Sequence, residues 1–355
     1  MPTGWDKQMP VQKTVSSQST SDKVIDNEVL IRSDKVSEMN RLETFIPEEP
    51  RRSLNDLIIP KSVRARIDSA LNRIRFYDEL YNQWNLKKID PYGCRIAINL
   101  FGSSGTGKTF CAEAIAHHLK RKIIKVNYAE IESKYVGETP KNITAAFRKA
   151  LETNSVLFFD EADSILGKRL TNVTQSADHG VNVSRSVMLL ELDKFDGIVV
   201  FATNLAKNYD GAFVRRILAH IEFELPDEEC RLRLWQYLIP LEVPRSSAVT
   251  FEWLAKESEG LSGGDICNVV ISAASRAVER ITTNREVSRD DLLEEIKHIR
   301  TSKQKISSEI QQKHPIILTE KKLEPEELPP DVQEKFQEVS IRQYDNNKLG
   351  EDNCK

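Results

Sequence analysis

Five short apolar runs punctuate the middle of the chain: RIAINLFG (95–102), KIIKVN (122–127), SVLFFD (155–160), GIVVFATN (197–204) and HIEFELP (220–226). Segments with helical spacing separate them, and this alternation predicts an α/β unit whose five buried strands form one parallel sheet with flanking helices. After Pro226 the strand pattern stops. DEECRLRLWQYLI, FEWLAKESEG, GGDICNVVISAASRAVERI and SRDDLLEEIKHIR all carry helical spacing, broken at Pro240 and Gly260, and predict a small all-helical domain.

The expected organisation is therefore a flexible N-terminal segment and linker over 1–52, an α/β nucleotide-binding domain over 53–226, a helical lid over 227–300 and a charged tail over 301–355. The first 45 residues are rich in Ser, Thr, Lys, Asp and Gln, and FIPEEPRR (45–52) is marked by proline and charge.

Composition narrows the function classes. The chain has 355 residues, of which 39% are hydrophobic and 30% charged, with a formal net charge of −3. That balance lacks the global basic field that recruits nucleic acid or anionic lipid, so neither partner is expected. No run is long and apolar enough to span a membrane, and the polar start MPTGWDKQMP does not read as a signal peptide. The five cysteines, Cys94, Cys111, Cys230, Cys267 and Cys354, have no metal-ligand spacing and read as reduced side chains of a cytoplasmic protein. No HExxH occurs, which excludes a fused zinc protease of that type.

The chemistry concentrates at strand ends. LFGSSGTGKTF (100–110) follows the first strand, precedes a helical segment and satisfies G-x-x-x-x-G-K-[ST] with Gly102, Gly107, Lys108 and Thr109. Such a loop turns its backbone N–H groups toward a polyphosphate, so Ser103, Ser104, Gly105, Thr106 and Phe110 belong to the same expected cradle. Lys108 is placed to reach the β- and γ-phosphates of ATP, and the Thr109 hydroxyl to coordinate Mg²⁺. VLFFDEAD (156–163) ends a strand in carboxylates. Asp160 is the expected second Mg²⁺ group, and Glu161 the residue that polarises the attacking water. Asn204, at the tip of FATN (201–204), is a candidate to hold that water. Arg215 and Arg216, in AFVRRILAHIEFELPD (212–227), suit a task in trans, offering guanidinium charge to a neighbour's γ-phosphate.

With these motifs, KYVGE and LSGGDI in order, residues 53–300 resemble the AAA subfamily of AAA+ ATPases, most nearly the katanin and spastin group and bacterial relatives. The resemblance implies that Tyr135, Val136 and Gly137 form a pore loop gripping an extended polypeptide, which would explain an exposed sticky stretch in SKYVGETPKN (133–142). It further implies a sensor role for Asn204, paired arginine fingers at Arg215 and Arg216, and a lid motif in which Gly263 and Gly264 approach the nucleotide. Asp56, Leu57 and Ile58, in NDLI (55–58), would border the adenine. Two departures stand out: Ser103 and Ser104 replace the family's Pro-Pro, and TNVTQSADHGVN (171–182) lacks the charged signature of a second pore loop. The family's substrate-recruiting N-terminal domain is not expected ahead of residue 53.

The expectation is a ring-forming ATPase, a hexamer, that threads protein substrates, with an adaptor or a separate protease as further partners. A nucleotide-controlled interaction module without threading is the rival. A nucleic-acid motor fits the acidic balance poorly.

Overall fold

The computed structural model describes residues 41–90, 96–131, 138–167, 176–204, 209–280 and 285–313. The chain divides into two compact units, 1–300 and 301–355, and the architecture described here belongs to the first. Tyr135, Val136 and Gly137, and with them the expected pore loop, lie outside the described residues, as do Cys94 and Cys354. Among the described residues no helix is long and apolar enough to cross a membrane.

The five predicted strands form one parallel sheet in the order β2-β3-β4-β1-β5. They are β1 (Ile96–Gly102), β2 (Ile123–Asn127), β3 (Val156–Asp160), β4 (Ile198–Thr203) and β5 (Ala219–Phe223). The expected fifth run reached Pro226, but pairing ends at Phe223, where β1 itself ends opposite it at Gly102.

The central strands β3 and β4 read as nearly unbroken apolar runs because both of their faces are covered, whereas the edge strands β2 and β5 expose Lys125 and Glu222. Phe159, Val199 and Phe201 point into a cluster with Phe147, Met188 and Phe195, which belongs to the face carrying helices α3 (Glu138–Glu152) and α5 (Ser176–Lys194). Their neighbours Phe158, Ile198 and Val200 point the other way, toward Ile67 of α1 (Lys61–Arg75) and Ile115 of α2 (Lys108–His118). One short helix, α4 (Asp163–Leu166), follows β3 directly, and α6 (Gly211–Val214) precedes β5.

The segment before α1 is anchored in the fold. Glu48 and Ile123 exchange backbone hydrogen bonds of 2.9 Å in both directions, and Phe45 is buried, so this segment meets the free edge of β2 at its first residue.

Beyond Pro226 come α7 (Glu228–Leu238), α8 (Phe251–Glu257), α9 (Gly263–Val278) and α10 (Arg289–Lys313), matching the four helical stretches of the sequence. Their shared core holds Trp235, Leu254, Ile266, Val269, Leu292 and Ile296. Polar side chains fix the start of this layer. Asp227 caps α7 through the Cys230 N–H at 2.8 Å, and buried Arg231 donates to the Pro226 and Ala255 carbonyls. The Trp235 indole donates to Ser258 Oγ at 2.9 Å, which satisfies its one polar atom inside the core. Cys111 and Cys230 are buried free thiols, and Cys267 is half-buried.

Candidate functional site

The sheet order places β1 between β4 and β5, and the register sets Phe101 beside Thr203. The turn leaving β1 therefore opens at the carboxyl edge of the sheet next to Asn204, in the crevice where open α/β sheets bind ligands. Three glycines shape that turn, with φ of 135° at Gly102, 75° at Gly105 and 101° at Gly107. At Gly102 a side chain is excluded twice over, since a Cβ would sit 2.3 Å from the Phe223 carbonyl oxygen.

Lys108, only 8% exposed, folds back over the turn. Its ammonium donates to the carbonyls of Gly102 and Ser103, both at 2.8 Å, and to Asn204 Oδ1 at 2.9 Å. Burial lowers its pKa, against the opposing pull of the Asp160 and Asp163 carboxylates. A cation so desolvated gains strongly from a nearby phosphate. Thr109 Oγ1 donates to Asp160 Oδ2 at 2.9 Å, so a hydroxyl and a carboxylate already stand side by side. That oxygen pair suits Mg²⁺, which binds through one or two protein oxygens and completes its octahedron with water and phosphate. Among the described residues no group of three or more His, Cys, Asp or Glu could hold a metal ion.

Glu161 adopts φ of 51°, one of four non-glycine residues in the left-handed region among the described residues, and its N–H donates to Asp160 Oδ1 at 2.9 Å. Such a backbone costs of order 1 kcal/mol or more and recurs at functional sites. Here it places an exposed carboxylate immediately after Asp160 at the end of β3. The second aspartate of DEAD was given no role by sequence reasoning. Asp163 Oδ1 accepts from the Asn204 N–H at 3.0 Å and from the Thr203 hydroxyl, and so holds the tip of β4 in place.

The expected adenine residues also come together. Asp56, Leu57 and Ile58 line a cavity of about 200 Å³ with Gly105, Phe110, Gly263 and Gly264. The lid closes on the phosphate turn through one backbone bond, from the Gly264 N–H to the Gly105 carbonyl at 3.0 Å. Ser262 and Asp265 form a reciprocal capping box that starts α9 at this point. Sequence reasoning missed the opposite wall, Leu234, Tyr237 and Leu238 of α7. Their i, i+3, i+4 spacing put them on one face, but nothing local said that this face meets a ligand. A larger cavity of about 750 Å³ lies apart from these residues, between α1 and the start of β5.

The two arginines differ. Arg215 caps the C-terminus of α6, exposed to solvent; its backbone N–H donates to the Gly211 carbonyl, while its guanidinium makes no hydrogen bond or ion pair among the described residues. Arg216 is held by its own chain: it donates to both Asp193 oxygens at 2.9 Å and to the Ala212 carbonyl at 3.0 Å. Neither arginine hydrogen-bonds to the phosphate turn among the described residues. Of TNVTQSADHGVN, which lacks the charged signature of a second pore loop, residues 176–182 open helix α5 and residues 171–175 lie outside the described residues.

Comparison with known proteins agrees with this geometry. The profile of the ATPase family associated with various cellular activities (AAA) matches residues 98–225, and that of the AAA+ lid domain matches 248–294. A proteasome-activating nucleotidase of Methanopyrus kandleri is 33% identical over 218 residues, covering 59% of this chain and 49% of the relative. Spastin of Ixodes scapularis is 31% identical over 223 residues, covering 57% and 33% respectively. A cell division cycle protein 48 homolog of Archaeoglobus fulgidus is 29% identical over 309 residues, covering 84% and 41%. The chain thus spans half or less of the length of these curated relatives. Phosphate turn, strand-end carboxylates and glycine-bearing lid fall inside the matched regions, so the chain carries an AAA ATPase domain followed by an AAA+ lid domain.

Proposed function

We propose that this chain is a Mg²⁺-dependent ATPase that assembles into a ring, a hexamer, and remodels protein substrates by drawing them through a central pore. The observation that carries the proposal is Arg215. Its guanidinium stands exposed and, among the described residues, without a partner, whereas Lys108, Asn204, Thr109 and Asp160 of the same chain are already joined in one cluster. A guanidinium placed this way suits the γ-phosphate of a neighbouring protomer.

In this reading Lys108 and the turn 102–107 bind the phosphates, Thr109 and Asp160 hold the metal, and Asp56–Ile58 with the lid enclose the base. Glu161 orients and polarises the attacking water, and Asn204 keeps that water in line. The backbone bond between Gly264 and Gly105 would carry changes at the phosphate turn into the helical layer. The names of the relatives support a protein substrate, and one of them, a proteasome-activating nucleotidase, makes a separate protease a reasonable downstream partner. A cytoplasmic location suits the reduced cysteines.

Replacing Tyr135 with Ala tests the threading claim. The expected result is loss of substrate unfolding, read with a tagged fluorescent protein, while at least half of the basal ATPase rate remains. Unchanged unfolding would favour a nucleotide-controlled interaction module instead.

A further inference from the structure

The middle of β1 carries an anomaly. Asn99 is fully buried, in a strand whose other inward positions are apolar, and it stands directly opposite His220 of β5 in the register. Asn99 Nδ2 lies 3.3 Å from His220 Nδ1. The amide also reaches the Tyr209 hydroxyl, which in turn reaches Thr203. Thr203 donates to Asp163, and Asp163 accepts the Asn204 N–H.

One donor order satisfies this row. The Asn99 amide donates to His220 Nδ1 and to the Tyr209 oxygen, Tyr209 donates to Thr203, and Thr203 donates to the Asp163 carboxylate. Burial holds the Tyr209 phenol in its protonated form and keeps the His220 ring neutral, as that order requires.

The row has two ends. One is the cluster of Asp163, Asn204 and Lys108 at the phosphate turn. The other is helix α6. Tyr209 immediately precedes Asp210, whose carboxylate caps α6 by accepting from the Ala212 N–H at 2.8 Å, and Arg215 ends that helix. The Tyr209 ring is wedged edge-on against Phe101, at 6.5 Å between centroids, and packs beside the His220 ring at 6.1 Å. The His220 ring also neighbours the Val214 backbone, the residue before Arg215. Among the described residues Asn99 Oδ1 is buried without a hydrogen-bond partner. An all-apolar strand pair would avoid that cost, which argues that the polar row is kept for something other than stability.

We infer that Asn99, Tyr209 and His220 are positioning residues for ATP hydrolysis, tying the tip of β4 that bears Asn204 to the short helix that presents Arg215. The inference rests on the proposed ATPase reading and deepens it. A protomer's nucleotide-sensing residue and the arginine it offers to its neighbour would move as one piece.

The test is a cycle of Asn99→Leu, Tyr209→Phe and the double variant. It is read by turnover at saturating ATP, by affinity for a fluorescent ATP analogue and by melting temperature. Tyr209→Phe keeps the ring and removes one oxygen, so its fold is secure even if Asn99→Leu proves unstable. The expected result is a fall of about fivefold or more in kcat for each single variant, from misplacement rather than lost contact with ATP. Nucleotide affinity should be unchanged within about twofold, and the double variant should be no slower than the worse single one, as for groups acting as a unit. Wild-type turnover in the folded single variants would overturn the inference. So would losses that multiply, or that follow the melting temperature. A wild-type chain without ATPase activity would overturn the underlying reading, and the inference with it, and is distinguished by the first control.

Discussion

Replacing Glu161 with Gln is expected to lower ATP turnover by about 10²–10⁴-fold, the usual contribution of a positioned general base. ATP affinity should stay within a few-fold of wild type. The asymmetry follows from what each group touches. Among the described residues no hydrogen bond joins the Glu161 side chain to Lys108 or Thr109, whose hydrogen bonds run to Asn204, Asp160 and the turn carbonyls. Glutamine keeps the size of the side chain and the φ of 51° costs it no more than glutamate. It cannot, however, take a proton from water. Phosphate release over time, set beside equilibrium binding of a fluorescent ATP analogue, separates the two effects. A variant that loses binding and turnover together would mean that Glu161 holds the nucleotide or its metal, and the assignment of the water activator would pass to another carboxylate.

The second large effect is expected at Arg215, where Ala should reduce turnover about 10³-fold, the lower range for a guanidinium that stabilises phosphoryl transfer in trans. Arg216→Ala should cost far less through this route. Its guanidinium is already engaged by Asp193, in a pair about one-third exposed that contributes on the order of 1 kcal/mol or less. The trans claim has its own signature. Arg215→Ala and Lys108→Ala protomers, each inactive alone, should regain activity when mixed, because an intact phosphate turn from the first can meet an intact arginine from the second. Two inactive preparations that stay inactive after co-assembly would contradict the trans role.

Much of the site was legible from the sequence, for a physical reason. A phosphate turn needs glycines, a lysine and a hydroxyl within eight residues, so Gly102–Thr109 announces itself locally. The apolar runs were equally plain, because strands buried on both faces cannot alternate. What the sequence hid was pairing across distance. Nothing near Asp163 says that it will hold Thr203 and Asn204 some 40 residues later. Nothing near Arg216 says that Asp193 will claim it, so two adjacent arginines read as equivalent when only one is left exposed. The wall that Leu234, Tyr237 and Leu238 give the cavity beside Asp56–Ile58 was hidden in the same way, since it depends on where the helical layer folds back.

The central claim is that hydrolysis takes place between copies of this chain, and the solution mass of the Glu161→Gln variant tests it most directly. The variant should admit ATP and Mg²⁺ and stall before hydrolysis, trapping whatever assembly ATP favours. Light scattering after size exclusion should show small species without nucleotide and a closed ring of about six protomers with saturating ATP. A single protomer under both conditions, with ATP demonstrably bound, would contradict the account and bring the nucleotide-controlled interaction module forward in its place.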